Sequence, residues 1–521
     1  MSAWVAGRGP STRGRGVAQS IAGLAAVVAL AAYCMSRYRD AMLSFFFLDD
    51  FWLLRDVSAL GWHSPADIAQ LFRPTHVGFQ LYRPLTQRGY FALLWSLFGC
   101  DPTGYHAAQI LAYTGASLFV FAIARRLTGS IQAGLGAGLI YATTPGLAVA
   151  VAWVAAFTMM GTALAVFAMV WAWLRIDAPR RRVVTCLILQ IIALLASEHA
   201  VIAPVLLALI GWADGRDEPW RRRLRLLAPL FAVVGAYLGL KVGYLMWRPP
   251  MGSYVMSANP VDWLQIAGQY ALGSIGWLKT RRAAQPADAS LAAGTVILLI
   301  GISAAWRAAI GAGPARLLAV GIGVFVVSLL PVLPLKDHFF DYFVGIAALG
   351  VALVGIAACQ LVSRRAWPSL ALGVGLSLAL YDLTTGQRAI RDDPIYLLID
   401  GGARTSASWI EAVSDAAQPG IRNVAVPRNP ITEMVFAVGH AERVFPRMPE
   451  SITVVPTTHE PFRLPARAIV TTIPDPRRDD FPPLPCWNAR WDWLRAVARW
   501  HLAPRVKSRE LPGSPRSENP D

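Results

Sequence analysis

Long apolar runs separated by short, arginine-bearing loops fill the first three quarters of this chain. The runs fall at roughly 17–35, 107–124, 131–148, 150–174, 183–197, 200–213, 226–246, 291–311, 316–334, 340–362 and 366–382. A straight membrane-spanning helix needs about 20 apolar residues. The pattern therefore predicts about eleven spans, some of them short, with 183–213 reading either as one hairpin or as a broken pair. The first run follows Arg8, Arg13 and Arg15, is longer than the apolar core of a secretory leader and has no small-residue cleavage site behind it. It is expected to stay as the first helix, with a cytoplasmic N-terminus.

Charge in the loops alternates. Arg125–Arg126, Arg175 with Arg180–Arg182, Arg216 with Arg221–Arg225, Arg307 with Arg316, and Arg364–Arg365 occupy every second loop. The intervening loops, 38–106, 148–150, Ser197–His199, 248–290 and 335–339, are poorer in clustered charge apart from Lys279–Arg282. Basic loops stay in the cytoplasm, so the arginine loops are expected inside and the others outside. The first outer loop, 38–106, is long and rich in aromatics, and its segments 64–72 and 84–98 read as amphipathic helices lying at the membrane interface.

Beyond residue 383 no further span appears and Pro, Asp and Arg rise. Tyr396–Asp400 and Arg422–Pro427 read as strands, and Ser406–Ala417 as a helix with Ser406 as its N-cap. The expected architecture is an all-α polytopic membrane bundle over 1–382, a small extracytoplasmic α/β domain over 383–505 and a disordered tail over 506–521. No internal repeat of fixed period is visible.

Composition agrees. Of 521 residues 55% are hydrophobic and 15% charged, with a mean hydropathy of +0.44, whereas soluble domains carry about 25% charged residues. The net charge of +16 would point to nucleic acid in a soluble chain. Here the basic residues lie in the short loops between spans, so a nucleic-acid partner is excluded and membrane lipid is the expected surrounding. None of the five cysteines forms a C-x-x-C pair, so no zinc or redox motif is present; Cys100 and Cys486 would both lie outside, which leaves a disulfide open.

Candidate chemistry gathers on the outer side. Asp49 and Asp50 follow the first span inside Phe45–Trp52. Burial there would raise a carboxylate's pKa and ready it as a base; the alternative is an acidic pair that ends a helix and faces water. Arg83 precedes Pro84, so its backbone is extended and a helix starts after it. Its guanidinium would grip a phosphate through two bonds or anchor to a headgroup. His106 lies at the outer edge of the second span and would bind substrate or a neighbouring helix. Glu198 and His199 interrupt an apolar stretch, where ionisable groups face a bundle interior or a wet cavity, or else mark a polar turn. Arg248, Lys336 and His338 would bring positive charge to an anionic headgroup, or snorkel into water. Together these groups predict one outward-opening polar cavity with an acid and phosphate binders. No metal-ligand motif occurs, and a divalent cation at the acidic pair is compatible with the sequence but not required.

These segments resemble the GT-C superfamily, multi-spanning glycosyltransferases that use polyprenyl-phosphate sugars, and within it the bacterial mannosyltransferase-like and transmembrane-and-tetratricopeptide O-mannosyltransferase branch. The resemblance runs from about Leu43 to Val362. It rests on Asp49–Asp50 after the first helix, Tyr82–Arg83–Pro84–Leu85–Thr86, Leu97–Phe98–Gly99, Gly104–Tyr105–His106, Ala124–Arg125–Arg126–Leu127, Trp153–Val154, Ser197–Glu198–His199 in place of Ser-Lys-Glu, and Leu330–Pro331. The chain departs from the pattern at Thr144–Pro145, where the family has His-Pro, at Ala155–Thr158, where it has Gly-Arg-x-Glu, and in having no tetratricopeptide repeats. The resemblance implies inverting transfer of a sugar from a polyprenyl-phosphate donor to an extracytoplasmic protein, glycan or lipid. Asp49 would be the base, Asp50 would hold the acceptor or a cation, Arg83, Arg248 and Lys336 would offset phosphate charge, and Glu198 and His106 would line the cavity. Such an enzyme would sit in the cell (inner) membrane. A transporter or flippase of a lipid-linked sugar is the rival class, though the inverted symmetry common in transporters is not evident; a non-catalytic scaffold of the same layout is the third.

Overall fold

The computed structural model describes residues 13–58, 60, 64–73, 82–214, 219–247, 256–275, 287–309, 313–335, 339–386, 394–416, 423–428, 430–445, 448–455, 468–470 and 488–499. The chain is a multi-pass helical bundle. Among the described residues, six helices are long and apolar enough to cross a membrane: Gln19–Leu43, Pro102–Thr128, Val154–Arg175, Trp220–Gly243, Asp288–Ala309 and Asp341–Val362. Shorter apolar helices cover Ile131–Ala142, Glu198–Ala213 and Pro314–Leu329.

In chain order, α1 (Arg13–Tyr38) leads into the first long loop, which holds α2 (Asp49–Ser58), α3 (Pro65–Leu71) and α4 (Tyr90–Phe98). The two short helices expected at 64–72 and 84–98 are both present, the second starting with a wide turn over Pro84–Gly89. A capping box starts α3: the Asp67 N–H donates to the Ser64 hydroxyl and the Ser64 N–H to the Asp67 carboxylate. Asp101 caps α5 (Pro102–Thr128) and Ser130 caps α6 (Ile131–Ala142), each satisfying a first-turn N–H that has no helical partner.

The expected spans 131–148 and 150–174 are displaced. Helix α6 stops at Ala142, a broken stretch carries the short α7 (Leu147–Ala152) and one 3-10 turn (Val154–Ala156), and α8 begins only at Phe157 and runs to Arg175. Pro145 lacks the N–H a continuing helix needs, and the Thr143 and Thr144 hydroxyls donate back to the Leu139 and Ile140 carbonyls. Arg37 donates to the freed Ala142 and Thr143 carbonyls, and Gln109 holds the Ala150 and Trp153 carbonyls at 2.5 and 2.8 Å. Irregular backbone at this depth is stable because buried side chains supply its hydrogen bonds.

The bundle continues through α9 (Pro179–Ala196), α10 (Ala203–Ala213), α11 (Trp220–Trp247), α12 (Pro260–Ser274), α13 (Ala287–Ala309), α14 (Gly313–Leu329), α15 (Val344–Val362) and α16 (Trp367–Tyr381). Helix α12 lies in what the sequence reads as a loop, because Asp262 and Gln265 break its hydropathy. It crosses α13 where Gly268 and Gly294 permit backbone contact; a Cβ on Gly268 would stand 1.8 Å from the Ser290 carbonyl. At the arginine end, Arg126 pairs with Asp214 at 3.2 Å, Arg182 lies over Trp173 and Arg316 over Trp212. Deep in the bundle Arg37 pairs with Asp382 at 3.0 Å, and the Tyr33 hydroxyl donates to the same carboxylate at 2.8 Å.

Two expectations for the C-terminal region are corrected. Tyr396–Asp400 is not a strand and Ser406 is not a cap: both lie inside one helix, Pro394–Ala416, where the Ser406 hydroxyl donates to the Gly402 carbonyl. Ile399, Ala403, Ala407, Ile410 and Val413 are its buried stripe, a 3.6-residue period that a five-residue apolar run cannot reveal. The expected strand at 422–427 is present as β1 (Asn423–Pro427), the centre of a parallel three-stranded sheet between β2 (Ser451–Val455) and β3 (Ala468–Val470). Among the described residues, its buried side chains share one apolar cluster with the first loop. Phe45, Phe46 and Phe51 of the first loop pack on Phe445 at 5.8, 6.4 and 6.0 Å between ring centroids. Gly402 lets Phe47 lie against the Pro394–Ala416 helix, where any Cβ would meet the ring at 2.0 Å. The Asp492–Arg499 helix docks beside the start of α5 through Arg495, paired with buried Asp101 at 2.8 Å. The tail predicted over 506–521 lies outside the described residues.

Candidate functional site at the loop-rich end

The chain leaves α1 and turns sharply before α2. Leu48 takes a left-handed backbone (φ 44°), uncommon for a bulky residue, and this turn places Asp49 and Asp50 on different sides. Asp50 is 1% exposed. One of its oxygens accepts the Phe47 N–H at 2.8 Å and the other the Ala155 N–H at 2.7 Å. The Trp153 indole N–H donates to the Phe47 carbonyl at 3.2 Å. Asp50 thus staples the first loop to the broken stretch before α8. Burial pushes its carboxyl well above the usual carboxylate range, although both backbone bonds pull the other way.

Asp49 instead lines a cleft of about 60 Å³ with Arg83, Gln87, Trp153, Ala155 and Tyr342. Burial pushes its carboxyl up to about 6, opposed by the neighbouring Trp52 side chain. Arg83 reaches the cleft from the extended residue before Pro84. Its guanidinium holds Glu198 through two parallel bonds, Nε to Oε2 at 2.8 Å and Nη2 to Oε1, the fork geometry in which arginine binds a carboxylate most strongly. Ser197 caps the turn carrying Glu198 by accepting the His199 N–H, and its hydroxyl lies 2.9 Å from His199 Nδ1. The His199 ring stacks on Phe343 at 5.0 Å. Two hydroxyl contacts fix the floor: Thr86 donates to the Ala196 carbonyl at 2.6 Å and Thr158 to Thr86 at 3.1 Å. Helix α11 brings Lys241 and Tyr237 within electrostatic reach of Glu198 and Arg83.

Of the residues expected from sequence, Asp49, Arg83, Glu198 and His199 converge at this end. Asp50 is adjacent, but its bonds go to backbone donors rather than into the cleft. His106 is 1% exposed beside the Ser44–Phe45 backbone and is not among the residues lining the cleft. Arg248, Lys336 and His338 lie outside the described residues. Among the described residues, no group of three or more His, Cys, Asp or Glu side chains is placed to hold a metal ion. Lys241, Tyr237 and Tyr342 are not among the residues expected from sequence, and Trp153 is expected only as part of the Trp153–Val154 resemblance. Lys241 carried a readable signal, a single lysine within an apolar run; Tyr342 and the Ala155 N–H carried none.

No family model matches the chain, and no curated protein matches it in sequence. Solved structures align with the chain at low similarity. ArnT from Cupriavidus metallidurans in the apo state aligns with a TM-score of 0.40 and 14% identity over 79% of this chain and 84% of its own. AglB, the archaeal oligosaccharyltransferase from Archaeoglobus fulgidus in complex with an inhibitory peptide and a dolichol-phosphate, aligns at 0.40 and 12% over 82% of this chain and 64% of its own. The Archaeoglobus fulgidus oligosaccharyltransferase tethered by a disulfide to an acceptor peptide with the NVT sequon gives 0.40 and 10% over 84% and 64%. These likenesses are distant.

Proposed function

We propose that the protein is a membrane glycosyltransferase that moves a sugar from a polyprenyl-phosphate donor to a hydroxyl acceptor at the outer face of the membrane, with inversion at the anomeric carbon. The observation that carries this reading is one cleft at the bundle's loop-rich end that is lined by both a carboxyl, Asp49, and a guanidinium, Arg83. The arginine-rich end of the bundle is then cytoplasmic by the positive-inside rule, which puts Asp49 on the extracytoplasmic side.

In this reading Asp49, ionised above about pH 6, accepts the acceptor's hydroxyl proton. The acceptor oxygen forms its bond to the anomeric carbon from the face opposite the phosphate. The carbon–oxygen bond to the phosphate breaks, and its electron pair leaves on the phosphate oxygen, where the Arg83 guanidinium stabilises the growing charge. Asp50 acts on the reaction through the backbone, by fixing the loop that carries Asp49.

Asp49→Asn in purified protein reconstituted with lipid-linked sugars and acceptor extract is the decisive test, read by mass spectrometry of the glycosylated product. Transfer should fall about 100-fold or more, the size of a general-base contribution, with no loss of thermal stability. Transfer at the wild-type rate by this variant would remove the proposal. Transport of the intact lipid-linked sugar without transfer would install the flippase reading instead.

A further inference from the structure

The guanidinium assigned to the donor phosphate is already occupied. Arg83 gives two bonds to Glu198 in a partly buried pair, with side-chain exposures of 12% and 20%. A carboxylate held this way is geometrically close to a phosphate oxygen pair, because both present two oxygens to the same fork. Within electrostatic reach of the pair lies one face of α11. Tyr237 and Lys241 are four residues apart and so share that face, whereas Leu238, Leu240 and Val242 around them are exposed toward the lipid side. The Tyr237 hydroxyl is shielded from solvent and has no hydrogen-bond partner among the described residues, although it lies in the field of Glu198, Arg83 and Tyr82. A shielded, unsatisfied hydroxyl beside charged groups is a donor left for a ligand oxygen once the groups around it move.

Resting on the donor assignment above, we infer that Arg83, Lys241 and Tyr237 form a phosphate cradle in which Glu198 is a built-in place-holder that the lipid phosphate displaces. The three charges now sum to one positive charge, with Arg83 and Lys241 against Glu198. A phosphate arriving with one or two negative charges would face two cations once Glu198 swings aside, and the Tyr237 hydroxyl would donate to a phosphate oxygen. The place-holder offsets part of the positive charge of the empty cradle, which lowers the cost of keeping that charge partly buried. It also sets a threshold: only an anion that binds Arg83 better than a tethered carboxylate does will enter. Because α11 faces lipid on its other sides, the cradle suits a phosphate that arrives on an isoprenoid tail.

The test is equilibrium binding of undecaprenyl phosphate to the full chain in nanodiscs, with undecaprenol and inorganic phosphate as comparison ligands. Glu198→Gln keeps the shape and removes the competing charge, and should tighten undecaprenyl phosphate binding about tenfold. Lys241→Met should weaken it about tenfold and Tyr237→Phe about threefold, and none of these changes should move undecaprenol. Inorganic phosphate that competes at equal strength would assign the cradle to free phosphate rather than to the lipid, which overturns the lipid-borne assignment. Binding by Glu198→Gln no tighter than wild type, in protein whose melting temperature is unchanged, overturns the place-holder. If Glu198→Gln unfolds, unaltered binding by both Lys241→Met and Tyr237→Phe overturns the cradle. The measurement needs no turnover, so tight, Glu198-gated binding without sugar transfer would sink the enzyme reading and leave this one intact.

Discussion

At the scale of single residues, two adjacent carboxyls divide their labour by what lies above them in space. Asp49 and Asp50 are equal in the sequence, and the pair is legible there as an oddity in an aromatic stretch. Only the Ala155 N–H, about a hundred positions away, settles which one is tied down. The titration of Asp49 gives a signed expectation. Its ordinary value of 3.8 is raised to about 6, so the folded protein binds a proton there that the unfolded chain has already lost. Between those two values stability falls as pH rises, the reverse of a salt-bridged aspartate, and Asp49→Asn should flatten that part of the curve in thermal unfolding. Transfer should run the other way and rise through about pH 6 as the base ionises; a profile flat from pH 5 to 8 would contradict the role given to Asp49. Asp50→Asn removes one of two acceptors facing backbone N–H groups. It should cost about 1–3 kcal/mol of stability and also lower the transfer rate, because the loop that aims Asp49 loosens.

At the scale of elements, hydropathy placed most helices within a few residues, because each span must bury its own backbone polar groups and does so the same way everywhere. It misplaced the break between α6 and α8. Pro145 announces a stop, but where the freed carbonyls find donors depends on Arg37 of α1 and Gln109 of α5. Arg37 also carries a prediction of its own. With side-chain exposures of 1% and 8%, the Arg37–Asp382 pair joins the first helix to the end of the last span. Arg37→Met would leave Asp382 buried without its cation, and should cost about 3–5 kcal/mol in detergent unfolding. The double variant Arg37→Met/Asp382→Leu should recover most of that loss, since an apolar pair replaces a buried ion pair at little net cost. Helix Pro394–Ala416 shows the opposite limit. A short apolar run fits strand and helix equally, and contact with Phe47 through Gly402 belongs to the helix alone.

At the scale of the whole molecule, the C-terminal region and the first long loop fold as one body against the loop-rich end of the bundle. Arg495→Ala should expose this dependence. Asp101 is fully buried, and without Arg495 it keeps only backbone donors, Thr103 and Asn488. The Asp492–Arg499 helix should then come loose, seen as faster amide exchange over residues 488–499 while the spans stay protected. Exchange unchanged there would mean that the helix is held by something else. The sequence by itself determined that this chain lives in a bilayer, which end of the bundle carries the arginines, and that a polar group of acids and bases lies at the other. These follow from the local cost of placing charge or bare backbone in hydrocarbon, which each segment meets alone. The tertiary structure decided which acid faces the cleft, that Arg83 already holds Glu198, and that Tyr237 and Lys241 lie within electrostatic reach of them. Those outcomes rest on contacts between segments tens to hundreds of residues apart, whose energies exist only once the helices have packed.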